Sequence, residues 1–122
     1  MADARLIVLA LAMSASVSGE SSAADHVRAG ARGQADYATY CAPCHGERGA
    51  GDGPLARMLD PAPARHSDAA FMNGLSDEYL FRLLKTGGQA FGKSPLMGAW
   101  GKILSEERLR DLIVFLRSLG TR

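Results

Sequence analysis

The sequence predicts an all-α fold, and three observations support this prediction. Two segments, at Leu75 and Leu104, open with the same helix start signal of a leucine, a serine and two acidic residues. A third helix start is expected at Asp25, whose side chain can act as an N-cap. Between these segments, no stretch alternates apolar and polar residues over the length of a β-strand.

The first helix is predicted to run from Asp25 to Tyr40. Gly33, Tyr37 and Tyr40 fall at i, i+4 and i+7, so they share one face of this helix. A glycine inside a helix costs about 1 kcal/mol relative to alanine, which favours a specific reason for Gly33. Close approach of another helix would be such a reason; a late helix start at Gly33 is the alternative that stays open.

The second and third helices each carry an apolar stripe. The second begins at a cap on Ser76, runs to Thr86 and stops at a pair of glycines. The third begins at a cap on Ser105 and continues to Leu119. The stripes consist of Tyr79, Leu80, Leu83 and Leu84 in the second helix and of Leu109, Leu112, Ile113 and Leu116 in the third.

The connections are rich in residues that favour turns. Residues 46–54 contain four glycines and a proline, which indicates a loop. One helical turn is expected between Pro54 and Leu59, followed by coil as far as Gly74. Residues 89–104 are expected to form an irregular connection.

Both cysteines of the chain lie in the segment Cys41-Ala42-Pro43-Cys44-His45. A C-x-x-C-H sequence is typical of covalent haem attachment. Cys41 and Cys44 would form two thioether bonds, and His45 would bind the iron from one face. One haem c is therefore the predicted cofactor, and its apolar ring would enlarge the core of a chain this small.

Three other interpretations of the motif are a zinc site, a redox-active dithiol and a structural disulfide. A zinc site needs more ligands, and the remaining histidines, His26 and His66, are not in a paired pattern. A redox-active dithiol of the thioredoxin type fits the C-A-P-C spacing, although a β-α-β context is expected for it. A structural disulfide across two residues would be strained. The dithiol is the strongest of these alternatives and stays open.

Residues 1–24 are predicted to be a secretory signal peptide. Arg5 precedes the apolar run Leu6 to Met13, and small residues follow as far as a cleavage site near Ala23 or Ala24. The run is shorter than the ~20 residues that span a bilayer, so no stable membrane insertion is expected after cleavage. Residues 25–122 would be the mature periplasmic domain. A formal net charge of +1 gives no indication of nucleic-acid binding.

Several residues of the sequence are candidates for the second iron ligand, and Met97 is favoured. It follows a proline in a predicted loop, beside Trp100, which could form a wall of the haem site. Methionine is a recognised partner of histidine at haem iron. His66 lies in a polar, proline-flanked stretch and is expected to be solvated. The other candidates are Met58, Met72 and Lys93.

The chain resembles the class I c-type cytochromes, of the small exported bacterial kind, over roughly Gly33 to Leu119. The resemblance rests on Gly33 and Tyr37 before the motif, on the Gly-x-Gly-Asp-Gly-Pro loop, and on the segments 94–97 and 111–116. It implies the cytochrome c fold, with three main helices and short turns packed around one haem. The N- and C-terminal helices would cross, with Gly33 and Tyr37 over Leu112 and Phe115.

The resemblance also implies roles for individual residues. Met97 would be the distal iron ligand, and the Pro54 carbonyl would accept the Nδ1 proton of His45. Gly98 stands where many relatives have a proline, which would loosen the distal loop.

Iron with both axial positions filled has no vacancy for a substrate. The predicted function is therefore one-electron transfer by a monomer between a redox-protein donor and acceptor, and not enzymatic catalysis. The alternatives are a haem enzyme, or a gas-binding or sensor module, with a labile distal ligand. A further hypothesis is that Arg82, Lys85, Lys93 and Lys102 steer an acidic partner towards the distal side.

Overall fold

The computed structural model of the chain describes residues 18–121 and confirms the all-α prediction. Single 3-10 turns lie at Ala56–Met58, Gln89–Phe91 and Trp100–Lys102, and residues 18–121 contain no strand. No helix in this part of the chain is long and apolar enough to cross a membrane. The α-helices of residues 18–121 are α1 (Ser18–Tyr40), α2 (Ala42–His45), α3 (Ala69–Asn73), α4 (Asp77–Thr86) and α5 (Glu106–Leu119).

The first helix starts earlier than predicted. It already includes Ser18, the first residue that the structure describes, so the expected N-cap at Asp25 is wrong, and the Asp25 carboxylate instead pairs with Arg28 at 3.0 Å inside the helix. The residues just before Asp25 include no proline, so nothing stops the helix from extending towards the N-terminus. The predicted cleavage site near Ala23 or Ala24 falls within α1, whereas residues 1–17 of the predicted signal peptide lie outside the described residues.

Side-chain caps set the starts of α4 and α5 as predicted. Ser76 Oγ accepts a hydrogen bond from the amide of Tyr79 at 3.1 Å, and Ser105 Oγ accepts one from the amide of Arg108 at 3.2 Å. The short α3 was not predicted. Its cap is Asp68, whose carboxylate accepts a hydrogen bond from the third residue of the helix at 3.0 Å.

α1 and α5 cross in direct backbone contact at Gly33. A β-carbon at this position would overlap the carbonyl oxygen of Asp111 and would lie 3.0 Å from the Cα of Leu112. One turn further along α1, the buried Tyr37 ring packs on Phe115 with ring centroids 5.1 Å apart. The crossing therefore involves the four residues expected from the resemblance, and Gly33 lies inside the helix rather than at its start.

Two arginine–aspartate pairs flank this crossing. Arg32 of α1 binds Asp111 of α5, and Arg108 of α5 binds Asp36 of α1, each at a shortest distance of 2.6 Å. Each guanidinium donates two hydrogen bonds to its carboxylate. Paired hydrogen bonds of this kind restrict geometry as well as adding stability, so they fix the angle at which the two helices cross.

We expect Gly33→Ala to lower the free energy of unfolding by about 1–3 kcal/mol, because overpacking forces the two helices apart. Gly30→Ala is the matched control, since its β-carbon would meet Val114 Cγ1 at an ordinary 3.7 Å. Alanine also favours the helix at that position by up to about 1 kcal/mol. Chemical denaturation of both variants measures the difference. Equal stability of the two would contradict a backbone contact at Gly33.

Candidate functional site

A cleft beside α2 brings four of the predicted site residues together. Cys44, His45, Met97 and Trp100 all line it. Its cavity volume is about 260 Å³. This is close to the lower end of ligand pockets, about 300 Å³, and His45 lines the cavity, so the helices do not close over His45. The remaining wall is mostly apolar and includes Leu59, Phe71, Met72, Leu75, Leu80 and Leu83.

The single turn of α2 places the two cysteines differently. The amides of Cys44 and His45 both donate to the carbonyl of Cys41, at 3.2 and 2.8 Å, so the motif is wound into one helical turn. Cys44 and His45 reach the cleft, whereas Cys41 is buried in the hydrophobic core. Cys41 and Cys44 form no disulfide with each other.

The environment of Cys41 argues against the dithiol interpretation. Burial is the main cause that raises the pKa of the Cys41 thiol to about 12. Redox-active dithiols depend on an accessible cysteine whose pKa is lowered, which is the opposite arrangement.

Within residues 18–121, no cluster of three or more His, Cys, Asp and Glu side chains is arranged to hold a metal ion.

The hydrogen-bond acceptor of His45 is Ala64, and the predicted acceptor, Pro54, is wrong. His45 Nδ1 lies 2.9 Å from the Ala64 carbonyl oxygen. The amides on either side of Pro54 donate to the carbonyls of Cys44 and Pro43, at 3.1 and 2.9 Å. The loop at Pro54 is therefore hydrogen-bonded to the backbone of α2. The segment that contains Ala64 passes beside the imidazole of His45 instead.

This hydrogen bond determines which nitrogen of His45 can bind a metal. A carbonyl only accepts, so Nδ1 must carry the proton, and the lone pair is left on Nε2. Burial lowers the pKa of His45, and the hydrogen bond to Ala64 acts in the opposite direction with a smaller effect. The imidazole is consequently neutral near pH 7, which is the form that binds metals.

Met97 lies in a loop whose backbone is fixed at both ends. Its amide donates to the Ser94 carbonyl at 3.1 Å, and its carbonyl accepts from the amide of Gly88 at 3.0 Å. Of the other candidate ligands, Met58 is 73% exposed and lies outside the cleft, whereas His66, Met72 and Lys93 line it. The segment after α4 therefore delivers a thioether to the cleft from a defined position.

Trp100 forms part of the cleft wall. Its indole packs against the ring of Tyr40 with centroids 5.2 Å apart. A β-carbon at Gly98 would lie only 3.2 Å from the indole. Glycine at position 98 therefore leaves room for the indole of Trp100.

His66 is buried, and the prediction that it is solvated is wrong. Only 8% of the residue is exposed, and its ring stacks on that of His45. The segment that carries the Ala64 carbonyl to His45 turns inwards, and His66 two residues later follows it. No local pattern in the sequence indicates this, because the neighbours of His66 are polar.

Comparison with known families matches most of the described chain. A family model described as cytochrome C oxidase, cbb3-type, subunit III matches residues 28–116. The matched range includes the C-x-x-C-H motif, the acceptor Ala64 and the cleft residues Met97 and Trp100. Among curated proteins, no sequence matched the chain.

Proposed function

Since the chain belongs to this family of c-type cytochrome domains, we propose that it is a periplasmic one-electron carrier with His45 and Met97 as axial ligands of a single haem. Cys41 and Cys44 would attach that haem through two thioether bonds. The observation that carries the proposal is that Cys44, His45 and Met97 line the same apolar cleft.

The residues of the chain would each contribute to electron transfer in a defined way. When bound, the haem supplies an iron that alternates between the ferric and ferrous states. The Ala64 carbonyl orients His45, and the Met97 thioether would raise the reduction potential of the bound iron relative to harder donors. The apolar walls would shield part of the haem from water, and the backbone hydrogen bonds of the Met97 loop would keep this ligand in place. A rigid site of this kind favours electron exchange over substrate chemistry.

The proposed location and partners rest on the sequence. The predicted signal peptide of residues 1–24 supports export, and a monomer that meets a donor and an acceptor protein in turn is proposed. The steering hypothesis receives less support, because Lys85 is bonded to Glu106 at 2.8 Å. The basic side chains proposed to steer an acidic partner are therefore Arg82, Lys93 and Lys102.

Carbon monoxide binding tests the proposed ligation. We expect reduced wild-type protein to bind it poorly, because Met97 occupies the sixth position, and Met97→Ala to bind it readily and to have a lower reduction potential. The absorption spectrum of the reduced protein with and without the gas measures this difference. Met58→Ala is the matched control, since it removes a thioether outside the cleft. Rapid binding to the wild-type protein would instead favour the enzyme or gas-binding alternative.

A further inference from the structure

A second histidine lies directly against the proposed iron ligand. The ring of His66 is stacked on that of His45, with centroids 4.1 Å apart and ring planes at 21°. His66 Nδ1 is buried without a hydrogen-bond partner among the described residues. A buried nitrogen without a hydrogen-bond partner is unfavourable, so other contacts must keep the ring in this place.

Those contacts come from α1 and from the loop that follows the motif. The Tyr37 ring packs edge-on against His66 at 5.9 Å, and its hydroxyl donates to the Gly46 carbonyl at 2.7 Å. In the loop, Gly49 has a φ of +72°, and a β-carbon there would lie 2.9 Å from the Cβ of His66. The amide of Ser67 donates to the Gly49 carbonyl at 3.0 Å. The position of His66 is therefore set by Tyr37 of α1 and by the loop at Gly49.

The stacked ring restrains a motion of His45 that its hydrogen bond leaves free. The bond from Nδ1 to the Ala64 carbonyl restrains the position of Nδ1, and small coupled rotations about χ1 and χ2 of His45 can still tilt the ring while Nδ1 stays within hydrogen-bond distance. A flat partner at stacking distance opposes this tilt, because tilting breaks face-to-face contact. Hydrogen bond and stack together define both the direction and the plane of the imidazole.

We propose that His66 is a positioning residue, whose stacked ring fixes the plane of the His45 imidazole and so the electronic structure of the iron it binds. The proposal rests on the proposed function, because it requires His45 as an axial ligand. The plane of an axial imidazole decides which iron d orbital overlaps with the ligand π system. The g values of ferric low-spin iron report that overlap directly.

Electron paramagnetic resonance of the ferric holoprotein tests the proposal. His66→Leu keeps a similar volume without a planar face, and we expect shifted g values with broadened or multiple low-spin signals. His66→Phe restores a flat ring without nitrogens, and we expect a spectrum close to that of the wild type. Leu119→Ala is the packing control, because Leu119 is buried against the Gly49 loop and does not line the cleft. Its g values should not move. Haem content is measured for each protein, and His66→Val takes the place of His66→Leu if that variant loses haem.

Three results would overturn this role for His66. Unchanged g values in His66→Leu would show that the stack does not orient His45. Equal shifts in His66→Leu and His66→Phe would assign the effect to the nitrogens rather than to the flat ring. An equal shift in Leu119→Ala would assign it to general loosening of the loop. In each of these cases the haem content stays normal, whereas absence of covalent haem from the wild type would overturn the proposed function as well.

Discussion

His45→Ala is expected to yield almost no folded haem protein. The substitution removes the proposed proximal ligand, and it also removes the hydrogen bond that ties this part of the cleft to the Ala64 carbonyl. A chain of this size buries a small core, so it depends on the macrocycle for much of its stability. The ratio of haem to protein, together with near-ultraviolet circular dichroism, measures the loss.

The matched control for this prediction is His26→Ala. His26 is an exposed histidine of α1 outside the cleft, so its replacement should leave haem content and folding unchanged. If His45→Ala carried a full complement of haem with six-coordinate iron, His45 would not be an iron ligand. Equal losses in the two variants would indicate a general sensitivity to histidine replacement.

Cys44→Ala is expected to lose most of the covalently bound haem, because one of the two thioether bonds is gone. The cysteine lines the cleft, so a macrocycle attached there lies beside His45 and Met97. Ala42→Ser, which changes a position that the motif leaves unspecified, is the control and should retain haem. The haem that stays with the denatured polypeptide is the quantity to compare. Full retention in Cys44→Ala would mean that this sulfur forms no bond.

The features that could be predicted from the sequence are those encoded by neighbouring residues. The caps at Ser76 and Ser105 act within one helical turn, so the neighbouring residues in the sequence are enough to predict them. The same holds for the C-x-x-C-H motif, because one turn of α2 presents its residues. Gly33 indicated a helix crossing, because glycine is unfavourable inside a helix and its presence there suggests that another helix approaches closely.

The features that sequence analysis missed depend on which distant segments meet. The acceptor of His45 is a backbone carbonyl, a group that every residue carries, so no side chain marks Ala64 rather than Pro54. His66 is buried by contacts with Tyr37 and the Gly49 loop, which are distant in sequence, although its own neighbours are polar. The part of α1 before Asp25 was not predicted because Asp25, a good cap in isolation, lies inside the helix rather than at its start.

The visible spectrum of the purified, denatured protein in reduced pyridine tests the central claim most directly, because it reports haem that is bonded to the polypeptide. We expect the spectrum of a haem with two thioether bonds, at one haem per chain, and no free thiols at Cys41 and Cys44. A colourless chain in which both cysteines react as free thiols would contradict the claim that this protein carries electrons on a covalently attached haem.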